Sequence, residues 1–144
     1  MSGSTANLFI LCVCLLSLKM LFLGVQTARA RGTAKRFVNS EDTAWLGGET
    51  VAADIDTAAR WRRAHLNDVE NFVVFVALGA SFIALGGHAA AGAVYFGLFT
   101  LARFGHGFAY LAGRARMRRD AYATGMMVLA AMAVHTAVLA IDGF

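Results

Sequence analysis

The sequence predicts an all-α fold, a four-helix bundle integral to a membrane, and three observations carry that prediction. Hydrophobic residues fill 58% of 144 positions and charged residues only 15%, with a mean hydropathy of +0.60. Four apolar segments are long enough for a hydrocarbon core of about 30 Å, which takes roughly 20 residues of helix. Proline is absent and no segment shows the apolar alternation of a barrel strand. Helices therefore remain the way to satisfy backbone groups in lipid. Residues 1–144 read as a single membrane domain.

The first predicted helix runs from Leu8 to Ala30. Its start, MSGSTAN, carries no basic residue and Lys19 interrupts the apolar run, so a retained helix is expected instead of a secretory signal. Lys19 reads as a helix-interface or snorkelling residue. Cys12 and Cys14 lie two apart on different helix faces, and each reads as a small hydrophobe without a disulfide. The polar stretch from Arg31 to Arg62 holds a turn signal at Gly47-Gly48, then an Ala-rich acidic run from Glu49 to Asp56 suited to extend the second helix outward. The remaining helices are placed at Arg63 to Leu85, Ala89 to Leu111 and Ala121 to Ile141.

Seven basic residues fall between Arg29 and Arg63 and four between Arg114 and Arg119. By the positive-inside rule these two connections face the cytoplasm, and the termini and the Gly86-Gly87-His88 turn face the other side. The net charge of +4 thus reports topology. It does not argue for nucleic acid, because the basic residues are split between short loops with no continuous patch. The Ala, Gly and Arg bias points to a bacterial inner membrane.

The most informative stretch is Arg62 to Asn71, RRAHLNDVEN, where polar and ionisable side chains open a membrane helix. A charged residue at the centre of a membrane helix costs about 2.5–3.5 kcal/mol on insertion scales, so each raises a functional-site hypothesis with a partner to be found. At 100° per residue, Arg63, Asn67 and Glu70 share one stripe within about 60°. His65, Asp68 and Asn71 fall outside it and read as packed structural groups. The third helix repeats the device at Arg103, His106 and Tyr110, again on one face. Arg103 is expected at the depth of Glu70, where the two would neutralise each other. These residues either bolt the bundle together or line a pocket for a small zwitterionic ligand with several carboxylates, which needs both cationic donors and neutral acceptors. The arginines of AGRARMRRDA stand at the mouth of that cleft, where a guanidinium would lower a bound thiol's pKa.

These residues resemble the MAPEG family, the membrane-associated proteins in eicosanoid and glutathione metabolism, nearly end to end. The resemblance rests on Lys19-Met20, Arg31 with Lys35-Arg36-Phe37 and Asn39-Ser40-Glu41-Asp42, the block Arg62 to Asn71, Tyr95-Phe96, Ala102-Arg103, His106 and Ala109-Tyr110-Leu111. It is nearest the branch of microsomal glutathione transferase and microsomal prostaglandin E synthase, and it implies a homotrimer of four-helix subunits. By matching position it implies glutathione contacts at Arg63, Asn67, Glu70, His106 and Tyr110, with Arg31 supplied by a neighbouring subunit. Arg119, or Arg118 beside it, is implied as the thiolate's arginine, and Asp42 as an acid near it. Arg103, His65 and Asp68 are structural in this reading, and no metal is assigned. Leu66 stands where the synthase has arginine, as the transferase does, and Asp120 stands where the synthase has serine, an acidic group that would repel a thiolate and so argues against prostaglandin synthesis and slightly against strong thiol activation.

The expected function is a membrane glutathione transferase, with glutathione as co-substrate entering from the cytoplasm. Its second substrate is a hydrophobic electrophile or a lipid hydroperoxide arriving through the lipid bilayer. The alternatives are a glutathione-dependent isomerase of the prostaglandin E synthase type, a non-catalytic lipid-binding scaffold, or a small transporter, for which no internal repeat is evident.

Overall fold

The structure is a computed structural model describing residues 2–143. Helix α1 (Ser2–Ala34) leads through strand β1 (Arg36–Phe37), the short helix α2 (Ser40–Leu46) and strand β2 (Glu49–Thr50) into helix α3 (Asp56–Ala84). Helices α4 (Ala89–Leu111) and α5 (Ala115–Asp142) complete an all-α bundle of four long helices. Helix α4 packs on α1, α3 and α5, and is the most enclosed of the four. Among the described residues three helices, α1 from Gly3, α3 and α5, are long and apolar enough to cross a membrane. The sequence of α4 is interrupted by Arg103 and His106, but these are only 2% and 3% exposed, so protein rather than lipid meets their polar groups.

The inward faces show why the helices associate. Phe75 of α3 stacks on Phe99 of α4 at 4.4 Å, and Phe96 meets Phe75 and Phe82 edge-on at 6.0 and 6.3 Å. Cys12 and Leu16 of α1 and Leu129 and Met132 of α5 close this core. Phe9 of α1 tilts against Phe75 and Phe96, and it reaches them because Gly79 of α3 has no side chain in its path.

Two glycines set the helix ends. Gly86 (φ 73°) and Gly113 (φ 69°) adopt the left-handed conformation just past α3 and α4. In each case the next N–H returns to an earlier carbonyl: Gly87 to Phe82 at 2.9 Å and Arg114 to Ala109 at 2.8 Å. The turns are tight, so consecutive helices run back along one another.

The connection after α1 departs from expectation. The run from Glu49 to Asp56 does not extend α3, which begins only at Asp56. Instead β2 pairs in parallel with β1, the Glu49 N–H donating to the Lys35 carbonyl at 2.9 Å and the Val51 N–H to that of Phe37 at 2.8 Å. Gly47 and Gly48, at φ 67° and 126°, turn the chain back, and a side chain at Gly48 would strike the Lys35 carbonyl. The cysteines are free, Cys12 buried and Cys14 exposed.

Gly79→Ala tests the aromatic core. Helix propensity alone would favour alanine by about 1 kcal/mol, but the new methyl lands on the Phe9 ring, which Phe75 and Phe96 hold in place. A net loss of about 1–3 kcal/mol is expected in detergent unfolding; a gain would mean that Phe9 moves freely.

Candidate functional site

The deepest polar feature is an ion triad contributed by three helices. On α3, counting back from Phe82, Gly79 and Phe75 along the buried face reaches Asn71, Asp68 and Ala64. Asp68 therefore points inward, with 4% exposure. Its Oδ1 accepts from Arg103 Nε at 3.0 Å and Nη2 at 2.5 Å, while Lys19 Nζ lies 2.7 Å from Oδ2. Lys19 also donates to the Arg103 backbone carbonyl at 2.5 Å, which ties α1 to α4 directly. Gly107 leaves the space Lys19 crosses, since an added Cβ there would sit 2.8 Å from Lys19 Cε.

This geometry corrects the expected pairing of Arg103 with Glu70: the partner is Asp68, and Glu70 is exposed on α3. The reason is rotational. Asp68 lies on the face continuous with the aromatic core, whereas Arg63 and Glu70 lie on an outward face. Lys19 does occupy a helix interface. His65 donates from Nδ1 to the Met20 carbonyl at 3.0 Å, and Asn71 Nδ2 donates to the Asn67 carbonyl at 2.8 Å.

Around the triad the expected ligand contacts fall into two regions. The first is a groove of about 380 Å³ between α3 and α5, polar at Glu70, Asn71 and Tyr122 and apolar along Val74, Leu78 and Met126. The His106 ring stands 6.1 Å from Tyr122 and 5.7 Å from Tyr110. Half-buried Asn67 accepts from Arg103 Nη2 at 2.7 Å, and the Arg118 guanidinium lies over the Tyr110 ring at 4.8 Å. Asn67, Glu70, His106 and Tyr110 are thus grouped at one end of the bundle.

The second region is a cleft of about 670 Å³ between the end of α1 and the start of α3, bordered by Arg31, Arg62, Arg63, Asp54 and Asp56. Arg31 clamps Asp54 through two hydrogen bonds, Nε to Oδ1 at 2.6 Å and Nη2 to Oδ2 at 2.9 Å. These bonds hold the Asp54 carboxyl below the usual carboxylate range. Arg31 and Arg63 therefore border the same cleft within a single chain.

The two residues expected to act on a thiol are not brought together. Arg119 is 76% exposed and pairs with Asp120 at 2.9 Å, while Asp42 of α2 accepts from Asn39 Nδ2 at 3.2 Å. Sequence reasoning missed Tyr122 and Asp54. Tyr122 had a signal, the spacing Tyr122, Met126, Leu129, Ala133 that lines the groove; Asp54 sits in an irregular loop with none.

A membrane-embedded helical bundle with a charged interior and an apolar side groove is the class these features define. The chain belongs to the MAPEG family, whose model matches residues 9–138. Prostaglandin E synthase of Equus caballus is 36% identical over 135 residues, covering 93% of this chain and 88% of that protein. The Homo sapiens protein of the same name is 33% identical over 136 residues. Microsomal glutathione S-transferase 1 of Rattus norvegicus is 41% identical over 97 residues, covering 65% of this chain and 63% of that protein. Family and helices together make this an integral membrane protein.

Two predictions follow from the ion pairs. Asp68→Asn leaves two buried cations without their anion and is expected to cost about 3–5 kcal/mol, whereas Glu70→Gln stays within about 0.5 kcal/mol; equal losses in detergent unfolding would restore Glu70 as the partner. For Asp54, whose folded pKa is lowered, the stabilisation is present above the unfolded carboxyl value of about 3.9 and is lost as pH falls through the folded value. Asp54→Asn should therefore melt below wild type at pH 7, with the gap closing on acidification; a pH-independent gap would contradict the pair.

Proposed function

We propose that this protein is a membrane glutathione transferase, conjugating glutathione to hydrophobic electrophiles. The observation that carries the reading is the juxtaposition of Glu70, Asn67, His106 and Tyr110 with an apolar groove that opens between α3 and α5. Polar donors and acceptors at one end suit a charged tripeptide, and the apolar walls suit a reactant dissolved in lipid. Family membership and relatives named for glutathione transfer and prostaglandin E synthesis support a glutathione-dependent activity.

In this reading Arg63 and the neighbouring subunit's copy of Arg31 bind carboxylates, Glu70 takes the amino group, and Arg119 stabilises the thiolate with Asp42 near it in the assembly. The thiol proton passes to water. The thiolate forms a bond to the electrophilic carbon as the leaving group departs with the bonding electrons, and proximity supplies much of the rate. Homotrimeric assembly belongs to the proposal, as do four membrane spans with the site facing the cytoplasm, in a bacterial inner membrane. The exposed Leu11, Leu15, Leu18 and Phe22 face of α1 offers apolar surface for lipid or another subunit.

One observation favours a second reading, a glutathione-dependent isomerase: the synthase relatives align over 93% of the chain, the transferase relatives over 65%. Reduction of lipid hydroperoxides is a further outcome of the same thiolate chemistry.

Titrating the detergent-purified protein with glutathione while following thiolate ultraviolet absorbance is expected to give a saturable signal at neutral pH. Arg119→Ala should abolish it and Arg118→Ala retain it. Loss confined to Arg118→Ala would move the role by one position, and no signal in wild type would contradict a glutathione-activating enzyme. Product analysis with a chloronitroarene and with a prostaglandin endoperoxide then separates transferase from isomerase.

A further inference from the structure

His106 has one ring nitrogen whose role the geometry decides. Arg103 Nη2 stands 3.2 Å from His106 Nδ1. A guanidinium has only donors, so Nδ1 must accept. A neutral imidazole that accepts at Nδ1 carries its proton on Nε2. We propose that the Lys19–Asp68–Arg103 triad locks His106 as the neutral Nε2–H tautomer, making it a fixed hydrogen-bond donor to an anionic group of the bound ligand and not a base.

Arg103 has little freedom to turn. Its Nε and Nη2 are on Asp68 Oδ1, and the two Nη2 hydrogens are shared among three acceptors, Asp68 Oδ1, Asn67 Oδ1 at 2.7 Å and, at the longest distance, His106 Nδ1. Lys19 braces Asp68 from the other side and holds the Arg103 carbonyl one turn before His106. Protonating Nδ1 would place an N–H against the guanidinium N–H and add a positive charge beside three others. The charged groups around the ring are Lys19 of α1, Asp68 of α3, Arg103 of α4 and Arg118 of α5, a set with one anion for three cations. Tyr110 and Tyr122 are the other ring neighbours.

Lys19, Asp68 and Arg103 are then positioning residues. They fix which atom of His106 offers a proton, and through Arg103 they also orient Asn67, so two helices present prearranged groups to one ligand. A consequence for thiol chemistry is that His106 does not take the thiol proton, since Nε2 is already protonated and Nδ1 is occupied. The donor role rests on the proposed glutathione reading; the tautomer does not.

The test is nitrogen-15 NMR of the full-length, histidine-labelled protein in lipid nanodiscs without ligand, with His106 assigned by comparison with His106→Gln. The expected result is a pyridine-type Nδ1 and a pyrrole-type Nε2, unchanged from pH 5 to 8. An Nδ1–H tautomer, or a ring that titrates in that range, would overturn the lock. In Lys19→Met, checked for a wild-type trypsin digestion pattern, the two nitrogen signals should shift toward averaged values; unchanged signals would remove Lys19 from the chain. Glutathione titration supplies the second arm. His106→Gln, whose amide can donate from a similar place, should bind within about 3-fold of wild type, and His106→Ala should weaken binding by about 10-fold or more. Equal weakening in both would overturn the donor role. S-methylglutathione, which cannot ionise at sulfur, assigns the acceptor: a His106→Ala defect that persists places the bond on a carboxylate, and one that vanishes places it on the thiolate. A wild-type protein that binds no glutathione but shows the expected tautomer would defeat the functional reading and leave the lock standing.

Discussion

The carboxylate of Asp68, held between Lys19 and Arg103, is the interaction on which the rest of this bundle depends. Two cations and one anion from three helices are buried at one level, where each alone would be costly. Because the bonds are short and directional, they set the rotation of α1, α3 and α4 together. A helix turned by one residue, or about 100°, would bury Asn67 or Val69 against Arg103 in place of Asp68. The aromatic stack of Phe75 on Phe99 lies two turns along the same face of α3 and one turn along that of α4, so apolar packing and ion pairing enforce the same register. Gly107 belongs to this arrangement, since Lys19 crosses α4 where a larger residue would stand.

With register set, the functional surfaces follow. Turning Asp68 inward turns Arg63 and Glu70 outward, where Arg63 borders the basic cleft and Glu70 the mouth of the α3–α5 groove. Asn67 stands between these faces and touches both the triad and the surface, and in the proposed reading it links the structural core to the ligand. The Arg31–Asp54 clamp performs a similar service at the other region, tying the loop before α3 to the end of α1. In the proposed reading, a polar tripeptide and a lipid-soluble reactant approach the same group of residues from different phases.

The long helices are legible in the sequence because their apolar content and length leave few alternatives in a membrane, and the RRAHLNDVEN block carries the resemblance to the family the chain belongs to. His65, Asp68 and Lys19 each make a contact that joins two helices. The Arg103–Glu70 pairing failed for a physical reason: the polar stripe was assumed to face inward, although the spacing of Phe75, Gly79 and Phe82 identifies a different inward face. The parallel strand pair and α2 were illegible. Two-residue strands carry no periodic signal, and the left-handed Gly47-Gly48 turn that directs β2 onto β1 shows in sequence only as a turn. A match of positions carries no information about which cleft a side chain enters, and Arg63 and Glu70 border different ones.

A double-mutant cycle between Lys19 and Asp68 tests the central claim most directly. Unfolding free energies of Lys19→Met, Asp68→Asn and the double variant, measured in one detergent, give the coupling between the two side chains. If the triad sets register, the double variant is more stable than the sum of the single losses allows, with a coupling of about 1–3 kcal/mol. Additive losses would mean that Lys19 and Asp68 contribute independently, and the register would then have to come from the aromatic core alone.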